Sequence, residues 1–321
     1  MLPALALALL AALTGVAMPR LLTRLPLDRA PRLGVVLWQA TGLATLLAGA
    51  LALAALAVPL PALSSDLGRT LQVCVMALQE AYRSPAGHAI RALAGVSLLL
   101  VIGRIAFGLW ASLRRAAQLR SRHRDLLALV AVDVHGLGNA VMVDHPAPLA
   151  YCVPGRHATI VLTAGALRAL DRDELQAVVA HERAHLAGRH AWVLSGVEAL
   201  ATSLPFVPAF TVARAEVAQL LEMLADDAAG QRHGGIVVAS ALLTLGRSCV
   251  PAGTLGASDT SGGQRARRLL AGAPRLPLAA GIAGYLAATL LIAAPVAVIA
   301  APAAAAATRN YCPIHADRVV R

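Results

Sequence analysis

The chain has 321 residues, 58% of them hydrophobic and only 14% charged, against about 25% charged in an ordinary soluble domain. A wholly water-soluble globule is excluded, because too little polar surface exists to cover the apolar bulk. The net charge is +11 and all 28 basic residues are arginine. Their position flush against apolar runs points to a membrane face and away from direct nucleic-acid contact.

The first apolar run covers residues 2–18. No charge precedes it and Pro19-Arg20 follows, so it is expected to be a retained anchor and not a cleaved signal peptide. Further runs cover residues 34–60, 92–113 and 276–301. Each approaches or exceeds the roughly 20 residues that cross about 30 Å of hydrocarbon. Arginine bias sets the expected orientation. Arg20, Arg24, Arg29 and Arg32 lie between the first two runs. Arg114, Arg115, Arg120, Arg122 and Arg124 follow the third, and Arg265, Arg267, Arg268 and Arg275 precede the fourth. The remaining loop is balanced, with Arg69 and Arg83 against Asp66 and Glu80. The N-terminus is therefore expected outside, with the 19–33 loop and residues 114–275 cytoplasmic. A fourth span at 276–302 would lead to a short extracellular tail, 303–321. Arg104 falls inside the third run near its cytoplasmic end, where a long side chain can snorkel to the interface.

Residues 114–275 alone have the texture of a folded polar domain. "AVMVD", "LAYCV" and "ATIVLT", between residues 140 and 163, read as short strands separated by Pro and Gly. They are a candidate sheet edge to which a substrate peptide can add as an extra strand. "DRDELQAVVAHERAHLAG" reads as a helix opened by a capping box, Asp171 with Glu174, and stopped by Gly188. Residues 191–210 are apolar, but Glu198, Pro205 and Pro208 argue against a clean span and for a buried or interfacial helix ending in a Pro turn. "ARAEVAQLLEMLADDAAG" reads as a further helix ending near Gly230. Residues 252–264 read as a flexible linker by composition. The fold class expected is a mostly α membrane protein: four transmembrane helices with a cytoplasmic α+β domain. The lipid bilayer is its first partner.

The chemistry sits in "AHERAH". Residues four apart share a helix face, so His181 and His185 project together and can both reach one Zn²⁺. Glu182 projects at another angle, suited to act as general base on a water in the site. A catalytic zinc takes a third protein ligand. Glu198, Glu216, Glu222, Asp226, Asp227, His190 and His233 are candidates. Glu222 and Asp226 stand four apart in "LEMLADDAAG", which offers one ligand and one carboxylate to orient a ligating histidine. His190, His233 and Arg189 are candidates to stabilise an oxyanion. Cys152 reads as a small core residue, and the scattered Cys74, Cys249 and Cys312 give no CxxC pair.

"AHERAH" with "LLEMLADDAA" resembles the gluzincin pattern, HExxH with a downstream Glu-x-x-x-Asp. "PLAYCVPG" and "ATIVLTAGALRALDRDELQAVVAHERAH", with the span layout, resemble the BlaR/MecR-type membrane zinc metallopeptidases up to about residue 302. The resemblance implies that the cytoplasmic α+β domain is a zincin-like metallopeptidase domain, with His181, His185 and Glu222 as zinc ligands, Glu182 as base and Asp226 as the supporting carboxylate. It implies regulated proteolysis of a cytoplasmic repressor-like protein, or of the chain itself. The short tail departs from the family's extracellular penicillin-binding domain, so direct sensing of β-lactams by acylation is not expected. His190 departs from the acidic residue the family often has there. Rival readings are a quality-control protease of the CAAX-processing or HtpX type, and a non-catalytic transmembrane signal transducer with a zinc site.

Overall fold

The structure is a computed structural model that describes residues 2–57, 85–155, 158–249, 257–272 and 276–309. The end of the second apolar run, the loop with Arg69 and Arg83, and the tail with Cys312 lie outside the described residues. Contacts divide the chain into two units: Met1–Met18, Gln39–Arg104 and Leu286–Arg321 form one, Pro19–Trp38 and Ile105–Tyr285 the other.

Among the described residues four helical stretches are long and apolar enough to cross a membrane: Pro3–Leu22, Pro31–Ala57, Gly87–Val130 and Leu278–Ala301. The first comprises α1 (Leu2–Ala12), a π-helical turn (Leu13–Ala17) and α2 (Met18–Leu22). The others belong to α3 (Pro31–Ala57), α4 (Pro85–Val130) and the last helix, α11 (Leu278–Arg309). Within the first unit, the buried Thr14 and Thr45 hydroxyls meet at 3.0 Å, and Thr45 also donates to Thr41 O at 2.8 Å. Hydroxyls tied to one another and to helix carbonyls are what a hydrocarbon environment requires.

α4 is one helix of 46 residues, about 69 Å at 1.5 Å per residue. It runs through the arginine cluster without a break. No Gly or Pro stands between Leu109 and Val130, and Ala, Leu and Arg are strong helix formers. Its far end therefore reaches the second unit's sheet, where Leu127 packs with Val153 and Val161.

That sheet has four strands, β1 (Val132–Asp133), β2 (Ala140–Val143), β3 (Ala150–Val153) and β4 (Thr159–Thr163), in the order β1-β2-β4-β3. β2 and β4 run parallel; the other pairs are antiparallel, with Cys152 opposite Ile160. Side chains alternate along β4. Ile160 and Leu162 join the core formed with Val178 and Val179, while Val161 turns to Leu127. β3 is left at an edge.

A short helix, α5 (Ala164–Ala169), leads into α6 (Arg172–Ala187). The capping box is formed: Asp171 Oδ1 accepts from Asp173 N and Glu174 N at 2.9 and 2.8 Å, and Asp171 N donates to Glu174 Oε2 at 3.1 Å. α7 (His190–Ser203) and α8 (Pro208–His233) make a hairpin, and α9 (Gly235–Cys249) and α10 (Ala257–Leu270) pack over α6 and α8. α8 is longer than its expected 213–230 core because Pro208, at the first helical turn, starts it early. α10 corrects the linker expected at 252–264, of which residues 252–256 lie outside the described residues. Gly262 and Gly263 weaken a helix, but Ala266 and Leu269 bury against Ala229 and Val238, and tertiary packing overrides propensity.

Asp171→Ala is expected to lower stability by about 1 kcal/mol through loss of the N-cap, read as a lower denaturation midpoint with the zinc-binding capacity of the folded fraction retained.

Candidate metal centre

The cap at Asp171 fixes where α6 begins and therefore which face His181 and His185 share. Both point at α8. His181 Nε2 lies 3.1 Å from His185 Nε2 and 3.6 Å from Glu222 Oε2, and His185 Nε2 lies 3.4 Å from Glu222 Oε1. Zinc held by arms of about 2.0–2.1 Å in a tetrahedron needs ligand–ligand edges of about 3.3–3.4 Å. The three edges bracket that value, so two imidazole nitrogens and a carboxylate converge as a candidate metal-ligating triad. The donor set fits zinc.

Behind the triad, Asp226 Oδ1 lies 3.0 Å from His181 Nδ1, on the side of the ring away from the convergence point. Asp226 is fully buried, and a second cation meets it. Arg265, from α10, donates to both Asp226 oxygens at 2.7 Å and approaches Glu222 Oε2 at 2.9 Å. One helical turn on, Arg268 holds Asp227 at 2.6 and 2.9 Å and donates from Nε to Asp28 O at 2.8 Å.

Sequence reasoning assigned Arg265 and Arg268 to the membrane flank and missed this clamp. The available signal was their spacing, one turn apart on an amphipathic helix, against two adjacent carboxylates on another. Two other third-ligand candidates are engaged by arginines. Glu198 pairs with Arg214 at 3.3 Å, and Asp227 with Arg268. His190 is buried with Nδ1 2.9 Å from His185 Nδ1, behind the ligand and not over an open face. It suits orienting His185 better than meeting an oxyanion. Arg189, at φ 50 the non-glycine residue with a left-handed backbone among those described, makes the turn that puts it there.

Glu182 is 9% exposed and lies beside β3, where the Cys152 thiol hydrogen-bonds its carboxylate. Burial, and then the Glu182 charge, push the thiol up to about 12, so Cys152 is a donor to Glu182 and not a nucleophile. Burial likewise raises the Glu182 carboxyl, toward the range useful for taking and returning a proton. Burial opposes charge on His181, but the Asp226 and Glu222 carboxylates outweigh it and hold the ring at about 9. Burial sends His185 down to about 4. His181 and Arg265, each acting against burial, keep Glu222 and Asp226 ionised. A cavity of about 190 Å³ opens over these groups, lined by Ala150 of β3 together with His181, Glu182, Glu222 and Arg265.

Residues 113–248 match the family model of peptidase family M48. The likeness covers less than half of the chain. The chain is a zinc metallopeptidase of the HExxH kind, carried by a multi-pass membrane protein with four candidate spans. No curated protein and no solved structure matches the chain. The M48 match stops before Arg265, so the clamp on Asp226 is contributed from outside it.

The protonated state of His181 sets a pH dependence. Its charge stabilises the metal-free domain fully below the ordinary histidine value of 6.5, and that contribution is lost as pH rises through about 9. Zinc must displace the Nε2 proton. Zinc binding at pH 7 is therefore expected to release about one proton, and affinity is expected to climb about tenfold per pH unit until pH approaches 9. Calorimetry in two buffers of different protonation enthalpy measures the release; equal heats in both would contradict it.

Proposed function

We propose that the chain is an integral-membrane zinc endopeptidase in which His181, His185 and Glu222 hold the ion and Glu182 is the general base. The observation that carries this is the convergence of the triad beside a buried, unligated Glu182 and under the edge strand β3. Bound zinc supplies Lewis-acid polarisation of the scissile carbonyl and an acidified water. The Glu182 carboxylate takes the proton of the attacking water and hands it to the leaving amine. The charge on Asp226 keeps the proton of His181 on Nδ1 and leaves Nε2 for the ion. The free side of β3 aligns the substrate backbone as an added strand. Arg265, whose charge reaches the cavity, offsets the two carboxylates it touches.

The resemblance to BlaR/MecR-type enzymes supports regulatory proteolysis, with a cytoplasmic repressor-like protein or the chain itself as substrate. The arginine bias supports a cytoplasmic domain at 114–275, an external N-terminus and an external C-terminal tail. A second reading, quality control of membrane proteins as in CAAX-processing or HtpX-type proteases, is favoured by the large apolar side chains exposed on the hairpin that carries Glu222, Trp192 and Phe206 among them.

Glu182→Gln is expected to keep its zinc and lose about 10²–10⁴-fold in peptide cleavage. Comparative proteomics of cells with wild type and Glu182→Gln then identifies the substrate as the intact protein that accumulates. Zinc bound equally by both, with no cleavage dependent on Glu182, would favour a transducer. For topology, an impermeant thiol reagent is expected to reach Cys249 only from the cytoplasmic side and Cys312 only from outside. The opposite pattern inverts the orientation.

A further inference from the structure

We propose that the turn joining α7 and α8, residues 204–208, is a wedge inserted into the bilayer beside the third span, with lipid as its partner.

The level of the membrane can be read on α4. Trp110 is half exposed, stacks near Phe107 at 5.8 Å, and has the Arg114 guanidinium 4.8 Å from its ring centroid. An exposed aromatic pair under an arginine, at the end of an apolar run, is the pattern of a membrane–water interface. α7 lies against this stretch. Ser112 Oγ donates to Ser195 O at 3.4 Å. One turn deeper, a Cβ on Gly108 would collide with Ser203 Oγ, so the two helices touch there. Rising numbers on α7 thus meet falling numbers on α4, and α7 descends from the rim into the apolar zone. Ser112 to Gly108 is about 6 Å along α4. Phe206, beyond Ser203, then sits within the roughly 5–10 Å depth typical of interfacial insertion.

The side chains agree with that depth. Phe206 is 75% exposed and Trp192, near the rim end of α7, is 60% exposed. Glu198 is the one acidic or basic side chain between residues 191 and 213, and it is paired with Arg214 at 3.3 Å.

Several backbone donors of the turn are also satisfied internally, Phe206 N–H being an exception. Hydrocarbon tolerates a turn only when its polar groups are satisfied internally. Pro205 and Pro208 have no N–H to satisfy. Leu204, Val207 and Phe210 N–H groups donate to Leu200, Leu204 and Val207 carbonyls at 2.9, 3.1 and 3.1 Å. The hydroxyls of Ser195, Thr202 and Thr211 fold back onto carbonyls of their own helices. With 14 residues, α7 is about 21 Å long, too short to span, so the hairpin enters and leaves on one side.

The test is photocrosslinking of the full-length protein in bilayers, with benzoylphenylalanine replacing Phe206 and, as a control, replacing Arg172, exposed in the first turn of α6. Both variants should retain zinc. Phe206-site adducts are expected to be phospholipid, at least fivefold more than from the Arg172 site. Equal lipid yields from the two sites would overturn the proposal, as would crosslinking mainly to a second copy or to another protein. F206W gives an independent reading: its added fluorescence should be quenched by lipids brominated near the top of the acyl chain and not by aqueous iodide. The reverse sensitivity would also overturn it.

Discussion

Asp226 is the fixed point of the catalytic unit. An ionised carboxylate with no exposed surface is tolerable only when partners replace its hydration. Here there are two, the His181 ring and the fork of Arg265. Each does a second job. His181 faces Glu222 with its other nitrogen, and Arg265 reaches Glu222 as well. The burial of one side chain therefore holds the His181 ring, sets the charge around Glu222, and docks α10 on α8. Removing Asp226 would leave the Arg265 guanidinium without its buried carboxylate and take away the charge that favours protonated His181.

Much of this was legible because the residues involved obey local rules. Asp171 and Glu174 announce the start of α6, Gly188 its end, and the four-residue spacing of His181 and His185 then dictates a shared face. The same spacing marked Glu222 and Asp226, although sequence alone left other acids in contention. β3 and β4 were visible as apolar runs between turn residues. Other features depend on contacts distant in sequence. β1, with two residues, is too short to show a period. α10 contains Gly262-Gly263 and exists because Ala266 and Leu269 find a core and because Arg265 and Arg268 find carboxylates 39 and 41 residues earlier. Arginines beside a span satisfy the orientation rule and a buried ion pair with the same composition, and only position in space separates the two roles.

The sheet constrains the site on the side of β3. β4 is buried on both faces, so β3 remains as the strand beside Glu182 with a free edge. Within the same unit, Leu127 near the end of α4 packs on Val153 of β3 and Val161 of β4.

The triad is also split by the hairpin. About 36 residues separate His185 from Glu222, and they contain all of α7, the Pro turn and the first half of α8. An ion bound to both closes that stretch into a loop, as a cross-link does, and restricts the chain even where no side chain touches the metal. Metal occupancy and the integrity of the hairpin are then one thermodynamic quantity. Chelation would loosen not only the reacting centre but the whole excursion of chain between its ligands, and a bilayer that grips the turn would, by the same linkage, hold the ion more tightly.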